Sequence, residues 1–349
     1  MFLRNYWYVA AWGHEVGRQI LARTICNEPM VLFRTVDGTV AAIEDRCCHR
    51  QMPLSKGWLE GDSVRCGYHG LRFDAAGKCV EIPGQVNIPP RARVRTFPVA
   101  EKWKWVWVWT GDAEKADPAL IPDMHWNDDP DWISNGSTTY VRGNYQLISD
   151  NLLDLTHETY IHRGSLGNQA VVEHPIKTVG DERSVTVTRW MYDHEPAPFW
   201  RKAIGVPDNC DRWQIVHFTP PANLVLDVGV AITGTGAPEG DRSRGVEARN
   251  LNCITPETEN STWYFWALAR RFQKHDHALT ERLKGAVADI FKEDTAAIEA
   301  QQQVIDRSAG RATIDVNADA GSIMARRMVA NLLAEETAQR GDAALQRRA

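Results

Sequence analysis

The sequence predicts an α+β protein: an all-β N-terminal domain, then a second domain in which an antiparallel sheet is flanked by helices. Three observations carry this. Short runs of alternating residues separated by turn signals fill the first third, strand-like runs return over residues 183–270, and from Asp276 onward the spacing is helical. Strands followed by helices, rather than the two in alternation, argue against a doubly wound parallel sheet. A chain of 349 residues is long enough for two domains. The change of texture after Gly111-Asp112 places them at 1–112 and 113–349.

In the first domain, MVLFRT and TVAAIE flank the turn signal Asp37-Gly38, and LRFD and KCVEI flank Ala76-Gly77; both read as hairpins. EKWKWVWVWTG puts Trp103, Trp105, Trp107 and Trp109 on one side and Lys102, Lys104, Val106 and Val108 on the other, the period of one half-buried strand with a tryptophan core face. A loop with Pro118, Pro122 and Pro130 suits a junction. NYQLISDNLLDLTHETYIH then has helical spacing, and SVTVTRWMYD, RWQIVHF, NLVLDVGVAI and STWYFWALA read as strands. The C-terminal helical stretch is interrupted near Gly310 and over Asp315–Gly321. TGTGAPEG carries Gly234 and Gly236 like half a phosphate loop, but no helix follows, so it reads as a plain loop.

A 43% hydrophobic and 24% charged composition is that of a globular protein, and a net charge of -5 gives no reason to expect nucleic acid or an anionic membrane as partner. No apolar run approaches the ~20 residues that span a bilayer. The opening MFLRNYWYVAAWGHEV lacks the apolar core of a signal peptide, so a cytoplasmic location is expected. Seven cysteines, odd in number and widely spread, then read poorly as a disulfide framework.

Two motifs in the β-rich third carry chemistry. Cys47-Cys48-His49-Arg50 and Cys66-Gly67-Tyr68-His69 each set one thiolate and one imidazole in a loop between strands. Zinc accepts the same four ligands, but its motifs usually pair two cysteines on one knuckle and two histidines on the other. One of each kind per loop suits a Rieske 2Fe–2S cluster, in which two cysteines hold one iron and two histidines the other. Cys48, between two ligands, must point away. Cys26, Cys79, Cys210 and Cys253 have no metal-like spacing and read as buried thiols.

The segment DNLLDLTHETYIH offers Asp150, Asn151, Asp154, His157, Glu158 and His162. On one helix Asn151, Asp154 and His157 would share a face, while His157 and His162 would diverge by roughly 140°. Both can bind one metal only if the helix ends or distorts between them, and Gly164 is a stop signal nearby. A facial triad also needs a carboxylate. Asp294 falls inside the apolar stripe Leu283, Val287, Ile290, Phe291, Ile298 and Ile305, where a carboxylate is costly unless it is paired or binds a metal. A buried salt bridge to an arginine is the other reading. Glu293 and Glu299 lie off the stripe and are expected to be solvated.

Together WYVAAW, EDRCCHR, RCGYHGL, EIPGQ, DNLLDLTHETYIH, APFWRK, DRWQIVHFTPP, ITPETE and WYFWALAR resemble the Rieske non-haem iron oxygenases over nearly the whole chain. The likeness is greatest to the vanillate O-demethylase type, and the dicamba and toluenesulfonate types are similar. The resemblance implies a helix-grip-like catalytic domain, Cys47, His49, Cys66 and His69 as cluster ligands, and His157, His162 and Asp294 as ligands of a mononuclear Fe(II). It makes Asp154 the carboxylate linking His157 to a cluster histidine of a neighbouring subunit, hence a homotrimer; Asn151 stands with it as a catalytic candidate. Asn252 corresponds to a substrate-contacting histidine of the dicamba type. The implied activity is that of a terminal monooxygenase component fed electrons from NADH by a flavin or ferredoxin-type reductase. It would use O2 to demethylate a methoxy-substituted aromatic acid to a phenol and formaldehyde. Hydroxylation of a ring-borne methyl group of an aromatic sulfonate or carboxylate is the alternative, and an electron carrier without catalysis the rival from another class.

Overall fold

A computed structural model of the chain describes residues 1–162, 174–206, 208–308 and 311–346. They form two compact units, Met1–Ile121 with Thr255–Glu259, and Pro122–Ile254 with Asn260–Ala349.

The first unit is built of three small antiparallel sheets. One sets β10 (Trp105–Trp109) between β1 (Trp7–Trp12) and β9 (Val99–Lys102); another runs β2 (Leu21–Ile25), β3 (Glu28–Arg34), β4 (Val40–Glu44). The third runs β5 (Trp58–Glu60), β6 (Ser63–Arg65), β7 (Arg72–Asp74), β8 (Cys79–Glu81). The hairpins expected around Asp37-Gly38 and Ala76-Gly77 are the pairs β3–β4 and β7–β8. The tryptophan run departs from expectation. It is not one strand: the chain reverses at Trp103 and Lys104, whose φ values are 58 and 62, and Lys102 pairs with Trp105. Two successive left-handed residues make a tight hairpin turn, but the residues that normally announce one are Asn-Gly or Asp-Gly. Because β10 is the central strand of its sheet, its valines are buried along with its tryptophans. Val31, Phe33, Ile43, Val64 and Phe73, from the other two sheets, form one buried core that includes Cys47 and Cys66.

The second unit carries a seven-stranded sheet in the order β11 (Ile133–Val141), β17 (Ser261–Arg270), β16 (Gly245–Thr258), β15 (Asn223–Ile232), β14 (Cys210–Thr219), β13 (Val185–His194), β12 (Lys177–Gly180). It is a meander from β12 to β17, with β11 added beyond β17. The four strands read from sequence are β13, β14, β15 and β17. Helix α1 (Tyr145–Leu153) starts at Asn144, whose side chain accepts from the Gln146 amide at 2.9 Å. Four residues further, Glu158–Ile161 make the single turn α2. Helix α3 spans Pro198–Ile204, α4 His277–Arg307 and α5 Ala320–Gln346. Asp276 caps α4, accepting from the Leu279 amide at 2.7 Å.

The long helices divide the sheet between them. Helix α4 packs on β11 and β17, α5 on β12 and β13, and α1 touches both helices. The middle strands meet the short α3 and the end of α1 instead, which leaves room for a cavity over β14–β16. The apolar stripe of α4 stops sooner than its sequence suggests: Ile298 is buried, but Ile305 is exposed. Of the expected C-terminal interruptions, Gly310 lies outside the described residues, and a 3-10 turn at Asn317–Asp319 precedes α5. No helix among the described residues is long and apolar enough to cross a membrane.

Candidate metal centres and an adjoining cavity

The two cysteine–histidine loops share one backbone plan. In the first, the Cys47 amide donates to Met52 O (2.9 Å) and the Gln51 amide to Cys47 O (3.0 Å); in the second, Cys66 donates to Leu71 O (2.8 Å) and Gly70 to Cys66 O (3.0 Å). The fourth residue after each cysteine is left-handed, Gln51 with φ 58 and Gly70 with φ 72. Each turn keeps its sulfur in the core and lifts its imidazole to the rim. Cys47 and Cys66 are both 1% exposed, whereas His49 and His69 are exposed, with ring centroids 4.7 Å apart. Two buried thiols below two exposed imidazoles is the donor set of a Rieske cluster, one iron on each kind. Burial and the neighbouring Cys66 push the Cys47 thiol up to about 11, so assembly of a cluster must expel protons. Cys48 is exposed, turned away from the buried pair, and Cys26, Cys79, Cys210 and Cys253 are buried free thiols.

The second centre arises where the chain leaves α1. The helix ends at Asp154, in extended conformation (φ -91, ψ 96), so Asp154 and His157 do not continue the helical face of Asn151. The break comes before His157; Gly164 lies outside the described residues. Asp154 Oδ1 holds it by accepting from the Thr156 amide at 2.7 Å and from the Thr156 hydroxyl. His157 then opens α2 and His162 closes it, with ψ 40 at His162 turning out of the helix. Their rings come to 5.2 Å between centroids, and Asp294 of α4 meets both: its Oδ1 lies 3.5 Å from His157 Nε2 and 3.2 Å from His162 Nε2. Asn151 Nδ2 donates to the same oxygen at 3.1 Å. His157, His162 and Asp294 thus bring one ligand atom each within 4.8 Å of one another.

Partners on the far side of each ring decide which nitrogen faces inward. His157 Nδ1 donates to the Asp154 carbonyl, and His162 Nδ1 lies 2.7 Å from Glu293 Oε2. A carbonyl and a carboxylate can only accept, so both Nδ1 atoms carry a proton and both Nε2 atoms face the centre. The expectation of a merely solvated Glu293 is therefore corrected: it is half exposed, but it orients His162. Asp150, by contrast, is held by Arg326 of α5 through contacts of 2.9 Å and belongs to the scaffold.

Burial alone would lower the His162 pKa, but Asp294 and Glu293 outweigh it and push it up to about 9. Without metal the ring is therefore protonated at neutral pH, and Fe(II) must displace that proton. Affinity for iron is expected to rise with pH, by about tenfold per unit between pH 6.5 and 8.5, and to level off near 9. Competition between metal-free protein and a chelator of known affinity, at constant ionic strength, measures this slope; a flat profile would refute it.

Beside the triad lies a cavity of about 210 Å³, walled by Leu152, Phe199, Leu226, Val228, Ile290, Phe291 and similar apolar groups. Its polar lining comes from the triad, Asn151, Glu158, Arg212, Gln214 and Asn250. Glu158 Oε2 lies 3.4 Å from Arg212 Nη2, and Gln214 Nε2 donates to Glu158 Oε1. Asn252 does not line the cavity: it is fully buried, donating to Asn250 O at 3.0 Å and accepting from the Tyr264 hydroxyl at 2.6 Å. Asn250, two residues earlier on β16, lines it instead. Arg212 and Gln214 had a signal in the sequence: polar residues at i and i+2 share one face of a strand, a face that continues with the apolar Val216 and Phe218.

Comparison with known proteins agrees with this geometry. Residues 6–98 match the Rieske 2Fe-2S domain and residues 141–335 the vanillate O-demethylase oxygenase C-terminal domain. The chain therefore belongs to the Rieske non-haem iron oxygenases, and its cofactors are a 2Fe–2S cluster and a mononuclear iron. It is similar to the toluene-4-sulfonate monooxygenase system iron-sulfur subunit of Comamonas testosteroni, 41% identical with 96% of this chain and 98% of that one covered. The vanillate O-demethylase oxygenase subunit of a Pseudomonas species is 39% identical, with 99% and 98% covered. A crystal structure of dicamba monooxygenase bound to 3,6-dichlorosalicylic acid shares the fold at a TM-score of 0.90 and 32% identity, covering 97% of this chain and 99% of that one. The chain is the oxygenase component of a multicomponent monooxygenase.

Proposed function

We propose that this oxygenase removes the methyl group of a methoxy-substituted aromatic acid, giving the phenol and formaldehyde. The observation that carries the reading is the placement of two histidines and one carboxylate on the wall of a ring-sized apolar cavity. A facial triad leaves coordination positions open. Cys47, Cys66, His49 and His69 would hold the cluster, and His157, His162 and Asp294 the iron. When bound, these groups supply single electrons and dioxygen activation. The protein's own part is to orient both imidazoles through the Asp154 carbonyl and Glu293, to keep bulk water out with Leu152, Phe199 and Ile290, and to hold the methyl carbon beside the triad.

In the balanced reaction one oxygen atom enters a methyl C–H bond, and the other leaves as water with two electrons and two protons. The resulting hydroxymethyl ether breaks its C–O bond to release phenol and formaldehyde. Electrons come from NADH through a reductase. Asp154 would pass them on from a cluster histidine of a neighbouring subunit, which requires a homotrimer with a native mass three times that of the 39.3 kDa chain.

Identity to the toluene-4-sulfonate relatives, 41% and 42%, slightly exceeds that to the vanillate relatives, 39% and 40%, and supports a second reading: hydroxylation of a ring-borne methyl group. Here the carbon is bonded to the ring rather than to oxygen, so the alcohol persists and no formaldehyde appears. Purified protein with reductase and NADH, offered methoxy- and methyl-substituted benzoates and sulfonates, separates the two. Formaldehyde equal to NADH consumed is expected with a methoxy acid; a benzylic alcohol from a methyl acid, with no formaldehyde from any methoxy acid, would replace the first reading by the second.

A further inference from the structure

His157 is carried by a stretch of chain that cannot hold its own shape. From Asp154 to His157 the chain is in neither helix nor strand, and α2 is a single turn, too short to persist without outside support. Part of that support comes from the sheet. Arg189 Nη1 donates to the Leu155 carbonyl at 2.6 Å, and Gln214 Nε2 donates to the Glu158 carboxylate. Arg189 of β13 and Gln214 of β14 are direct partners in the strand register, so their side chains stand side by side on one face. Arg189 fastens the chain two residues before His157, and Gln214 fastens it one residue after.

Arg189 is out of place on its own strand. Its face of β13 is otherwise Val185, Val187 and Met191, all buried, and the arginine itself is 2% exposed. A buried guanidinium is costly unless opposite charge and hydrogen bonds compensate it. Burial pulls the Arg189 pKa below its ordinary value; Glu158 opposes this, Arg212 adds to it, and Asp154 opposes it. The two acids that answer its charge thus flank His157, three residues before and one after. Arg189 is not part of the cavity lining, so a ligand held there does not account for it.

We infer that Arg189 is a positioning residue for the mononuclear iron: it ties the Leu155 carbonyl to the sheet and so sets the direction in which His157 Nε2 points. The path of action is one peptide long. The carbonyl that accepts from His157 Nδ1 is that of Asp154, in the peptide group next to the one Arg189 holds. If the Leu155 peptide tips, the Asp154 carbonyl and the imidazole turn with it. The inference rests on the reading of His157 as an iron ligand.

Three variants test it. Arg189→Met has no donor, and Arg189→Gln stops short of the Leu155 carbonyl, whereas Arg189→Lys keeps a charge and a donor on a long stem. Each protein, with its cluster intact and its mononuclear site emptied, is titrated with Fe(II) against a chelator. It is then loaded with Co(II), whose EPR signal reports ligand geometry while the oxidised cluster is silent. Met and Gln should weaken Fe(II) binding about tenfold or more, as the loss of a supporting hydrogen bond at a metal site does, and should alter the Co(II) signal. Lys should bring affinity back to within about threefold. Arg270→Met is the control. Arg270 is 1% exposed and likewise holds a carbonyl, that of Asp276 at 2.8 Å, so its loss should lower thermal stability but leave Fe(II) affinity within about twofold.

Unchanged affinity and Co(II) signal in Met and Gln, an equal loss in Arg270→Met, or no recovery in Lys would overturn the inference. So would failure of both Met and Gln to fold with a cluster, which would make Arg189 a residue of the fold alone. His157→Ala separates the two levels: iron kept there sinks the ligand assignment itself, while iron lost there but held normally by Met and Gln sinks only the role of Arg189.

Discussion

Asp294→Asn is expected to strip the mononuclear iron while leaving the visible spectrum of the cluster intact. Iron should fall from about three to about two per chain with acid-labile sulfide unchanged, as a triad deprived of its one carboxylate and an untouched cluster demand. Activity should drop by at least about 100-fold, since losing even a supporting hydrogen bond at such a site costs about 10–100-fold in metal affinity. Asparagine keeps the shape and can still meet Asn151, so the fold should survive. What is lost is charge: Asp294, 6% exposed on the inner face of α4, faces both Nε2 atoms and is the only carboxylate among the three clustered ligands. Metal analysis beside an absorbance spectrum decides the matter. Full iron and full turnover in the variant would remove Asp294 from the ligand set.

How much of this was legible beforehand depended on sequence distance. Each cysteine–histidine loop closes within five residues, and its backbone bonds run from Cys47 to Met52 and from Cys66 to Leu71, so spacing alone betrayed the cluster. Asp294 was visible for a different reason, as a carboxylate on an apolar helix face. Its partners were not, because His157, His162 and Asn151 reach it only through the packing of α1 and α2 against α4. The break in the helix at Asp154 carried a signal that periodicity overrode: an aspartate whose side chain caps the amide two residues on, here Thr156, competes with helix by making its own turn. The tryptophan run misled for the converse reason, since alternation persists through a reversal when the two turn residues keep the pattern. Asn250, Arg212 and Gln214 came together only through the register of three strands, which no local window contains.

Gly57→Ala should destroy the cluster and leave the mononuclear iron in place. Gly57 closes the turn after the first ligand loop, where a Cβ would lie 1.9 Å from Arg65 O and 3.1 Å from the Gly67 amide nitrogen. Gly67, next to Cys66, leans the other way, its own Cβ position 2.6 Å from Lys56 O. The two glycines stand back to back, and their close approach is what lets the second loop bring Cys66 up to Cys47. An added methyl must push the two backbones apart by roughly 1 Å or more, given ordinary contacts near 3.5 Å. Metal–ligand distances tolerate only about 0.2 Å, so the ligand pairs can no longer share a cluster. Sulfide and the visible bands should therefore vanish while about one iron per chain stays, the reverse of Asp294→Asn. Gly17→Ala, where nothing lies within 4 Å of the new Cβ, is the control in the same unit and should keep both centres. A Gly57→Ala protein with full sulfide would show that the loops have slack, and that the shared core around Cys47 and Cys66, rather than the glycine contact, sets their spacing.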